Sequence, residues 1–340
     1  MSHPPILINE FGLHAHPFAP TADPAYCYAA PSQAECLRLV WDSIDARHGV
    51  VVVFGDNGAG KTTLLRKIVA AMYAEPQRYL TAVVGAPVPT WSSFELLRHI
   101  VEQFGLEPAE ETFLACIETL NRHLVENREQ VCTLLIDDAH YLNKRGQMEL
   151  LRLLQNLETQ QHKLLNIVLF AQTEWTTVLE AVQEFSQRIN LAYTLVPLPR
   201  AELRPLIAFR LDTAGGGGPR FEETALRAID AYTEGNLRLT VTLCRHAVAL
   251  AARETSAVVT GDMILRIVET ATLPNLDKRA RVAAALAEAG SAIPGEDTLG
   301  AGQAEVDGNL PDPDEGLRGR EQKAAELLLR AHLRQAGGGE

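Results

Sequence analysis

The segment Gly55–Thr63, which reads GDNGAGKTT, constrains the fold of this chain more than any other feature. Its pattern is a glycine, four residues and then Gly-Lys-Thr, and it directly follows the apolar run Val50–Phe54. Glycines let the backbone curl so that successive N–H groups point inward at phosphate oxygens. An amphipathic helix pattern follows, so the strand–loop–helix context that this motif requires is present and a chance match is disfavoured. The sequence therefore predicts a phosphate-binding loop on an α/β fold.

Each part of this loop has a predicted task in holding a nucleotide and Mg²⁺. Lys61 is expected to reach the β- and γ-phosphates, and the Thr62 hydroxyl is expected to hold the metal ion. A helix predicted from about Thr62 to Tyr73 directs its positive N-terminus at the same phosphates. The predicted cofactor-binding residues of the loop are Gly55, Asp56, Asn57, Gly58, Ala59, Gly60, Lys61, Thr62 and Thr63.

The net charge of −12 is unevenly distributed along the 340 residues. Residues 290–316 contain seven Asp or Glu and no Lys or Arg. More than half of the chain's excess negative charge therefore lies in this one segment. The total charge argues against nonspecific coating of nucleic acid, but the mildly acidic remainder of the chain leaves room for a basic patch that contacts DNA. Charge alone does not identify the partner.

Five scattered cysteines, none of them in a Cys-x-x-Cys pair, indicate buried free thiols in a reducing compartment. No apolar run approaches the ~18 residues that a membrane span needs. The N-terminal stretch MSHPPILINE also lacks the basic start and the long apolar stretch of a signal peptide. We therefore predict a cytoplasmic protein without membrane insertion.

Strand and helix patterns alternate as far as Pro199, which predicts a doubly wound, five-stranded parallel sheet flanked by helices. One of the predicted helices is Trp175–Phe185. The predicted strands are Val50–Phe54, Leu80–Gly85, Val131–Ile136, Leu165–Ala171 and Asn190–Leu195.

Four regions follow from these patterns. Residues 1–31 are predicted to be an extended segment that packs on the domain after it, and 32–198 to be the α/β nucleotide-binding domain. Residues 199–274 are predicted to form a small all-helical domain. Residues 275–340 form an acidic tail rich in Ala, Gly and Pro, predicted to be disordered with a possible terminal helix at Arg320–Gln335.

The run Val131–Asp138, VCTLLIDD, is the second element with nucleotide chemistry. An apolar strand buried in a parallel sheet delivers carboxylates at its C-terminal end, where ligands bind in open α/β folds. Asp137 is expected to hold Mg²⁺ through water, and Asp138 is expected to polarise the attacking water. Alternatively, Asp137 and Asp138 only begin a loop and have no role in nucleotide chemistry. The phosphate-binding loop upstream disfavours this alternative.

Several longer motifs accompany these two elements between about Phe11 and Leu273. They are FGLHAHPF, YAAPSQAE, GDNGAGKTTLLRK, LLIDDAHYL, LLRLLQNLET, NIVLFAQTEW, FSQRINLAYTLVPL and GNLRLTVTLCRHA. With them the chain resembles the AAA+ ATPases of the ExeA, or general secretion pathway protein A, type, which are close to pilus-associated and TnsC/TniB-like transposition ATPases. The resemblance implies an AAA+ P-loop NTPase fold, a helical lid at 199–274, and ATP and Mg²⁺ as cofactors.

The resemblance also implies roles for further residues. Gln172 matches the sensor-1 position, where a polar side chain contacts the γ-phosphate or the attacking water; a polar cap of the strand is the alternative. Arg188 matches the arginine finger that reaches into a neighbouring subunit's site, with a surface arginine paired to Glu184 as the alternative. Arg238 in GNLR matches sensor 2, which binds the nucleotide's phosphates. For His140 the match implies no metal role, and we expect a hydrogen-bonding histidine there.

Asp138 stands where most relatives of this type carry glutamate. Its carboxylate is one methylene shorter, so a less well placed water would make hydrolysis slow while ATP binding would survive. Two classes of function therefore stay open. One is an ATPase that hydrolyses Mg·ATP at subunit interfaces, and the other is a nucleotide-dependent oligomeric scaffold with weak hydrolysis.

The predicted function is that of a cytoplasmic AAA+ ATPase that remodels or assembles a protein partner. It is expected to form a homo-oligomer, a ring or helical filament of hexamer-like size. The setting is either a secretion, pilus or envelope-export system or, alternatively, ATP-gated and DNA-binding regulation of transposition. Membrane-anchored relatives carry a transmembrane helix and a peptidoglycan-binding domain after the lid, whereas this chain continues with a polar tail, which favours a soluble relative.

Overall fold

The computed structural model describes residues 11–21, 23–160, 162–270 and 278–291. A parallel sheet and a helical part follow one another along the chain within one compact unit. The strands are β1 (Val50–Phe54), β2 (Tyr79–Val84), β3 (Val131–Ile136), β4 (Asn166–Ala171), β5 (Ile189–Thr194), β6 (Arg220–Phe221) and β7 (Val258–Val259). The α-helices are α1 (Pro31–Asp45), α2 (Lys61–Ala74), α3 (Ser93–Gln103), α4 (Phe113–Glu126), α5 (Arg145–Gln155), α6 (Thr176–Ala181), α7 (Gln183–Ser186), α8 (Leu203–Thr213), α9 (Glu223–Thr233), α10 (Leu237–Arg253), α11 (Gly261–Thr270) and α12 (Lys278–Ser291).

The main sheet has the strand order β2-β3-β4-β1-β5, and all of its neighbouring strands are parallel. Successive side chains of a strand point to opposite faces. Val50, Val52 and Phe54 pack in a core with α3, α4 and α5, whereas Val51 and Val53 pack with α1 and α2. Burial on both faces explains why β1 appears as a continuous apolar run in the sequence. The predicted five-stranded parallel sheet flanked by helices is confirmed.

The register of three central strands sets the position of the loops that follow them. Phe54 at the end of β1 pairs with Ala171 at the end of β4, and Ile136 at the end of β3 pairs with Leu169. Because the strands are parallel, their carboxyl ends meet at the same edge of the sheet. The residues that begin the loops at this edge are Gly55, Asp137 and Gln172.

The helical part contains one short sheet, so the prediction of an all-helical region is incomplete. Helices α8 to α11 share a core in which Ile229 and Leu243 are fully covered. Within this part Arg220–Phe221 pairs in parallel with Val258–Val259. Two residues are too few to show the alternation by which a strand is recognised in a sequence.

The predicted helix Trp175–Phe185 is divided into α6 and α7 at Val182, whose φ of −119° and ψ of 67° are not helical. Leu179 and Phe185 both pack in the core beneath the sheet. Six residues of continuous helix would rotate their side chains by about 240° relative to each other. The break at Val182 lets Leu179 and Phe185 face the same core. Tertiary packing therefore overrides the continuous helical pattern of the sequence.

Helix α12 corrects the first part of the disorder prediction, which begins at residue 275. Val282 is fully buried, and Leu286 packs against the same core. Lys278 Nζ lies 3.0 Å from a carboxylate oxygen of Glu234, at the end of α9. Apolar residues four apart thus give this Ala-rich stretch one face that covers the helical part. The acidic segment after it and the predicted helix Arg320–Gln335 lie outside the described residues.

The segment before α1 contacts the helical part as well as the α/β domain on which it was predicted to pack, and Cys27 lies in a core of that domain. Phe18 is buried in the core of the helical part. The His14 N–H donates to the Ala214 carbonyl at 2.9 Å, and Arg210 Nη1 donates to the Pro17 carbonyl at 3.2 Å. This segment therefore braces α8, which lies almost two hundred residues later in the sequence.

All five cysteines are buried and free, as predicted. Burial raises the pKa of the Cys36 and Cys244 thiols to about 12, which disfavours their reactive thiolate forms. Within the described ranges no helix has both the length and the apolar character needed to cross a membrane.

We expect V282D to place a carboxylate in the covered core and to lower the free energy of unfolding by at least about 2 kcal/mol. Ala284 lies on the exposed face of α12. A284D is therefore the matched control and should change the free energy of unfolding by less than about 0.5 kcal/mol. Urea unfolding followed by circular dichroism measures both. Equally small effects from the two variants would show that α12 does not cover the helical part.

Candidate nucleotide-binding site

The loop between β1 and α2 curls around the ammonium group of Lys61. Its Nζ donates hydrogen bonds to the carbonyl oxygens of Gly55 at 2.6 Å and Asp56 at 3.0 Å, and the side chain is buried. Gly58 and Gly60 have φ values of +87° and +98°, which side-chain-bearing residues rarely adopt. The backbone thus has the curl predicted for a phosphate-binding loop, with the lysine at its centre.

Lys61 is a buried cation among carboxylates. Burial lowers the pKa of its ammonium group, and the charges of Asp138, Asp137 and Asp56 act in the opposite direction. A buried charge is tolerated only with compensating charge or hydrogen bonds. Three carboxylates around one lysine leave an excess of negative charge, which suits a divalent cation.

The two residues predicted to serve Mg²⁺ lie side by side. Thr62 Oγ1 donates a hydrogen bond to Asp137 Oδ2 at 2.7 Å. Burial raises the pKa of Asp137, and the hydrogen bond from Thr62 opposes this effect. Mg²⁺ prefers oxygen ligands and keeps several waters, so one hydroxyl and one nearby carboxylate fit its chemistry.

Asp138 follows in a left-handed backbone conformation, with φ 46° and ψ 38°. Its N–H donates to Asp137 Oδ1 at 3.0 Å, which links the two acids. Such conformations in non-glycine residues cluster at functional sites. His140 Nδ1 lies 3.9 Å from Asp138 Oδ1, and this buried nitrogen has no hydrogen-bond partner in the described residues. The hydrogen-bonding role predicted for His140 is therefore not met at Nδ1.

Gln172 reaches from the end of β4 to the loop. Its Nε2 donates to Asn57 Oδ1 at 2.9 Å, and Thr173 Oγ1 beside it donates to Asp56 Oδ1 at 3.1 Å. The Gln172 side chain makes no capping bond to the short helical turn that follows it. The Gln172 side chain is therefore held against the phosphate loop, and its sensor-1 role stays a prediction.

The first turn of α10 contacts the loop from the helical part. The Arg238 N–H donates to the Gly58 carbonyl at 3.2 Å, and the Arg238 side chain is exposed. Its positive charge contributes to the lowered pKa of Lys61, after the effects of burial and of the three carboxylates. The structure thus brings Arg238 to the same site as Lys61, Thr62, Asp137, Asp138 and Gln172.

Arg188 lies away from this site. It directly precedes β5, at the amino edge of the sheet, whereas the loop follows the carboxyl end of the adjacent β1. The five residues of β1 separate the two edges by about 16 Å. Arg188 Nη1 donates to Asn156 Oδ1 at 2.6 Å, and Glu184 pairs with Arg152 instead. The alternative pairing of Arg188 with Glu184 is therefore wrong.

Two polar residues at the site were not singled out in the sequence. Asn236 directly precedes α10. Asparagine is a preferred N-cap residue, so the sequence could have indicated its capping role. Thr173 has no local signal, because its partner Asp56 is 117 residues earlier in the chain.

A model of the AAA domain family matches residues 44–179. General secretion pathway protein A of Aeromonas hydrophila is 32% identical over 265 residues, a match that covers 76% of this chain and 47% of that protein. The chain therefore spans about half the length of this relative. The predicted resemblance to AAA+ ATPases of the general secretion pathway protein A type is confirmed.

Solved structures share the fold at lower identity. The Aeropyrum pernix ORC2 protein in its ADPNP–ADP complexes is 19% identical, with a TM-score of 0.54 over 72% of this chain and 71% of that one. The Aeropyrum pernix ORC1 protein in complex with DNA is 17% identical, with a TM-score of 0.55 over 72% and 66%. Cdc6p of Pyrobaculum aerophilum is 16% identical, with a TM-score of 0.54 over 74% and 69%. These likenesses support the AAA+ fold of the described residues.

We expect G58A to destabilise the protein, because a Cβ at this positive φ would lie 2.4 Å from Asn236 Oδ1 and 2.9 Å from Arg238 Cβ. The left-handed conformation alone costs a residue with a side chain about 1–2 kcal/mol. Gly85 is a matched control, because a Cβ there would meet nothing within 4 Å. Urea unfolding should therefore show a loss above about 1 kcal/mol for G58A and near zero for G85A; equal values would contradict the close approach at Gly58.

Proposed function

We propose that this protein binds Mg·ATP at the loop Gly55–Thr63 and hydrolyses it. The proposal is carried by one observation, the meeting of Lys61, Thr62 and Asp137 at the carboxyl edge of the sheet. Lys61 lies 2.6 Å from the Gly55 carbonyl and Thr62 lies 2.7 Å from Asp137, so the groups that phosphates and Mg²⁺ need are adjacent. The AAA domain match over residues 44–179 supports the same function.

In this proposal each residue has a separate task in holding the nucleotide. The loop's N–H groups and Lys61 neutralise the phosphates, while the Thr62 hydroxyl and, through water, Asp137 hold Mg²⁺. Arg238 adds positive charge from the first turn of α10. Bound Mg·ATP supplies a terminal phosphoryl group whose negative charge the metal and the protein's cations offset during transfer to water.

Asp138 and Gln172 are proposed to act on the attacking water. Asp138 orients the water and accepts its proton, and Gln172 supplies an amide that fixes its position. The shorter carboxylate of Asp138 makes slow turnover the expected result. This residue is also why a nucleotide-dependent scaffold with weak hydrolysis is the second candidate function.

Arg188 is proposed to act on a neighbouring copy of the chain. It lies at the opposite edge of the sheet from its own loop, so it would reach phosphates only across an interface within a homo-oligomer. An arginine supplied in this way stabilises the charge that develops during phosphoryl transfer. Residues 199–274 would then act as a lid that links the nucleotide to the oligomer.

We propose a cytoplasmic role in assembling or remodelling a protein partner of a secretion, pilus or envelope-export system. The support is the similarity to general secretion pathway protein A of Aeromonas hydrophila. ATP turnover measured with and without duplex DNA separates this role from DNA-linked work such as transposition, since only the latter predicts stimulation by DNA.

We expect K61A to reduce Mg·ATP affinity by more than about 100-fold, because it removes a buried charge from the centre of the loop. Lys67 lies on the same helix and carries the same charge outside the site, so K67A is the matched control and should bind like the unaltered protein. Isothermal titration calorimetry measures both variants. If the unaltered protein binds Mg·ATP without hydrolysing it, the nucleotide-dependent scaffold is the better function. If it does not bind Mg·ATP, both candidate functions are wrong.

We expect R188A to bind ATP within about twofold of the unaltered protein but to lose at least about 100-fold in turnover. Mixing R188A with K61A should restore part of the rate, because a K61A subunit can supply Arg188 to an intact site on R188A. Arg152 pairs with Glu184 on the same surface, which makes R152A a control with normal turnover. Steady-state phosphate release measures all of these, and normal turnover by R188A alone would rule out the finger.

A further inference from the structure

Asn236 makes two different hydrogen bonds with its one side chain. Its Oδ1 accepts the Leu239 N–H at 3.1 Å, which caps the N-terminus of α10. Its Nδ2 donates to the backbone carbonyl of Asn57 at 2.6 Å, in the phosphate loop. The cap belongs to the helix alone, whereas the second bond ties the helix to the loop.

The bond to Asn57 determines how one loop peptide is oriented. In a trans peptide the C=O and the following N–H point in opposite directions. Because the Asn57 carbonyl points at Asn236, the N–H of Gly58 points away from α10. This N–H is one of the amides of the Gly-x-x-x-x-Gly-Lys-Thr loop that cradle the phosphates.

The contact is closely packed. A Cβ on Gly58 would lie 2.4 Å from Asn236 Oδ1, so the glycine leaves room for the asparagine. The next carbonyl, that of Gly58, accepts the Arg238 N–H at 3.2 Å. Two consecutive carbonyls of the loop are therefore held by the first turn of α10, and only the Asn236 bond uses a side chain.

We propose that Asn236 is a positioning residue, which orients the Asn57–Gly58 peptide for phosphate binding and links nucleotide affinity to the position of α10. The inference rests on the proposed function, because it assigns a role within the same Mg·ATP site. It is separate from the role of Arg238, whose guanidinium would contact the nucleotide itself. Both hydrogen bonds of the Asn236 side chain go to protein backbone atoms.

This role has a characteristic signature. The loop amides face phosphates that ADP and ATP share. Loss of the Asn236 donor should therefore lower the affinity for both nucleotides by a similar factor. One hydrogen bond of ordinary net strength corresponds to about five- to tenfold in affinity. The water-activating residues Asp138 and Gln172 are unaltered, so turnover at saturating ATP stays within about twofold while KM rises.

The test uses N236S in the full-length protein. Serine is also a good N-cap, but its shorter side chain carries no amide to reach the Asn57 carbonyl. N236A loses both bonds. Thr112 caps α4 through a bond to the Ala115 N–H, far from the loop in the sequence, so T112A controls for loss of a cap alone. ADP and ATP affinities, steady-state kinetics and thermal unfolding midpoints are measured for all variants.

We expect N236S to lose about five- to tenfold in affinity for both ADP and ATP and no more stability than T112A loses, while T112A keeps its affinity. Unchanged ADP affinity in N236S, a loss confined to ATP, or a loss of kcat without a rise in KM would overturn the inference. These outcomes differ from failure of the proposed function, in which the unaltered protein itself binds neither nucleotide.

Discussion

Parallel hydrogen bonding between β1, β4 and β3 is the constraint on which the candidate site depends. It aligns Phe54 with Ala171 and Ile136 with Leu169, so the loops after the three strands leave the sheet together. The Gly55 N–H continues this pattern with a bond to the Ala171 carbonyl at 3.2 Å. A register shift of one residue would move each side chain to the opposite core and would displace the residues that begin the loops, so the pairing keeps lysine, threonine and aspartate together.

The second constraint is the closeness of the helical part to the phosphate loop. Glycine at 58 allows Asn236 and the backbone of Arg238 to approach, so the geometry of the loop and the position of α10 are set by the same contacts. The segment around Phe18 and helix α12 pack in the core that carries α10. In the proposed function, a change in nucleotide state at the loop would reach α10 directly through these contacts.

Local patterns predicted the loop, the strands and the paired acids, because each depends on neighbouring residues. Other features depend on partners far along the chain. Val182 interrupts a helical pattern so that Phe185 can enter the core, and Val282 gains burial only against helices of a separate segment. The bond from Gln172 to Asn57 spans 115 residues, so no local signal could reveal it. Local sequence patterns therefore predict which chemical groups form the site. Tertiary contacts determine the positions of those groups.

A crystal structure with Mg²⁺ and a nonhydrolysable ATP analogue would test the proposed nucleotide site most directly. We expect the β-phosphate within hydrogen-bonding distance of the Gly58 N–H and Lys61 Nζ, and the metal beside the Thr62 hydroxyl with Asp137 in its water shell. A nucleotide bound elsewhere, or phosphates that leave Lys61 on the Gly55 carbonyl, would contradict it.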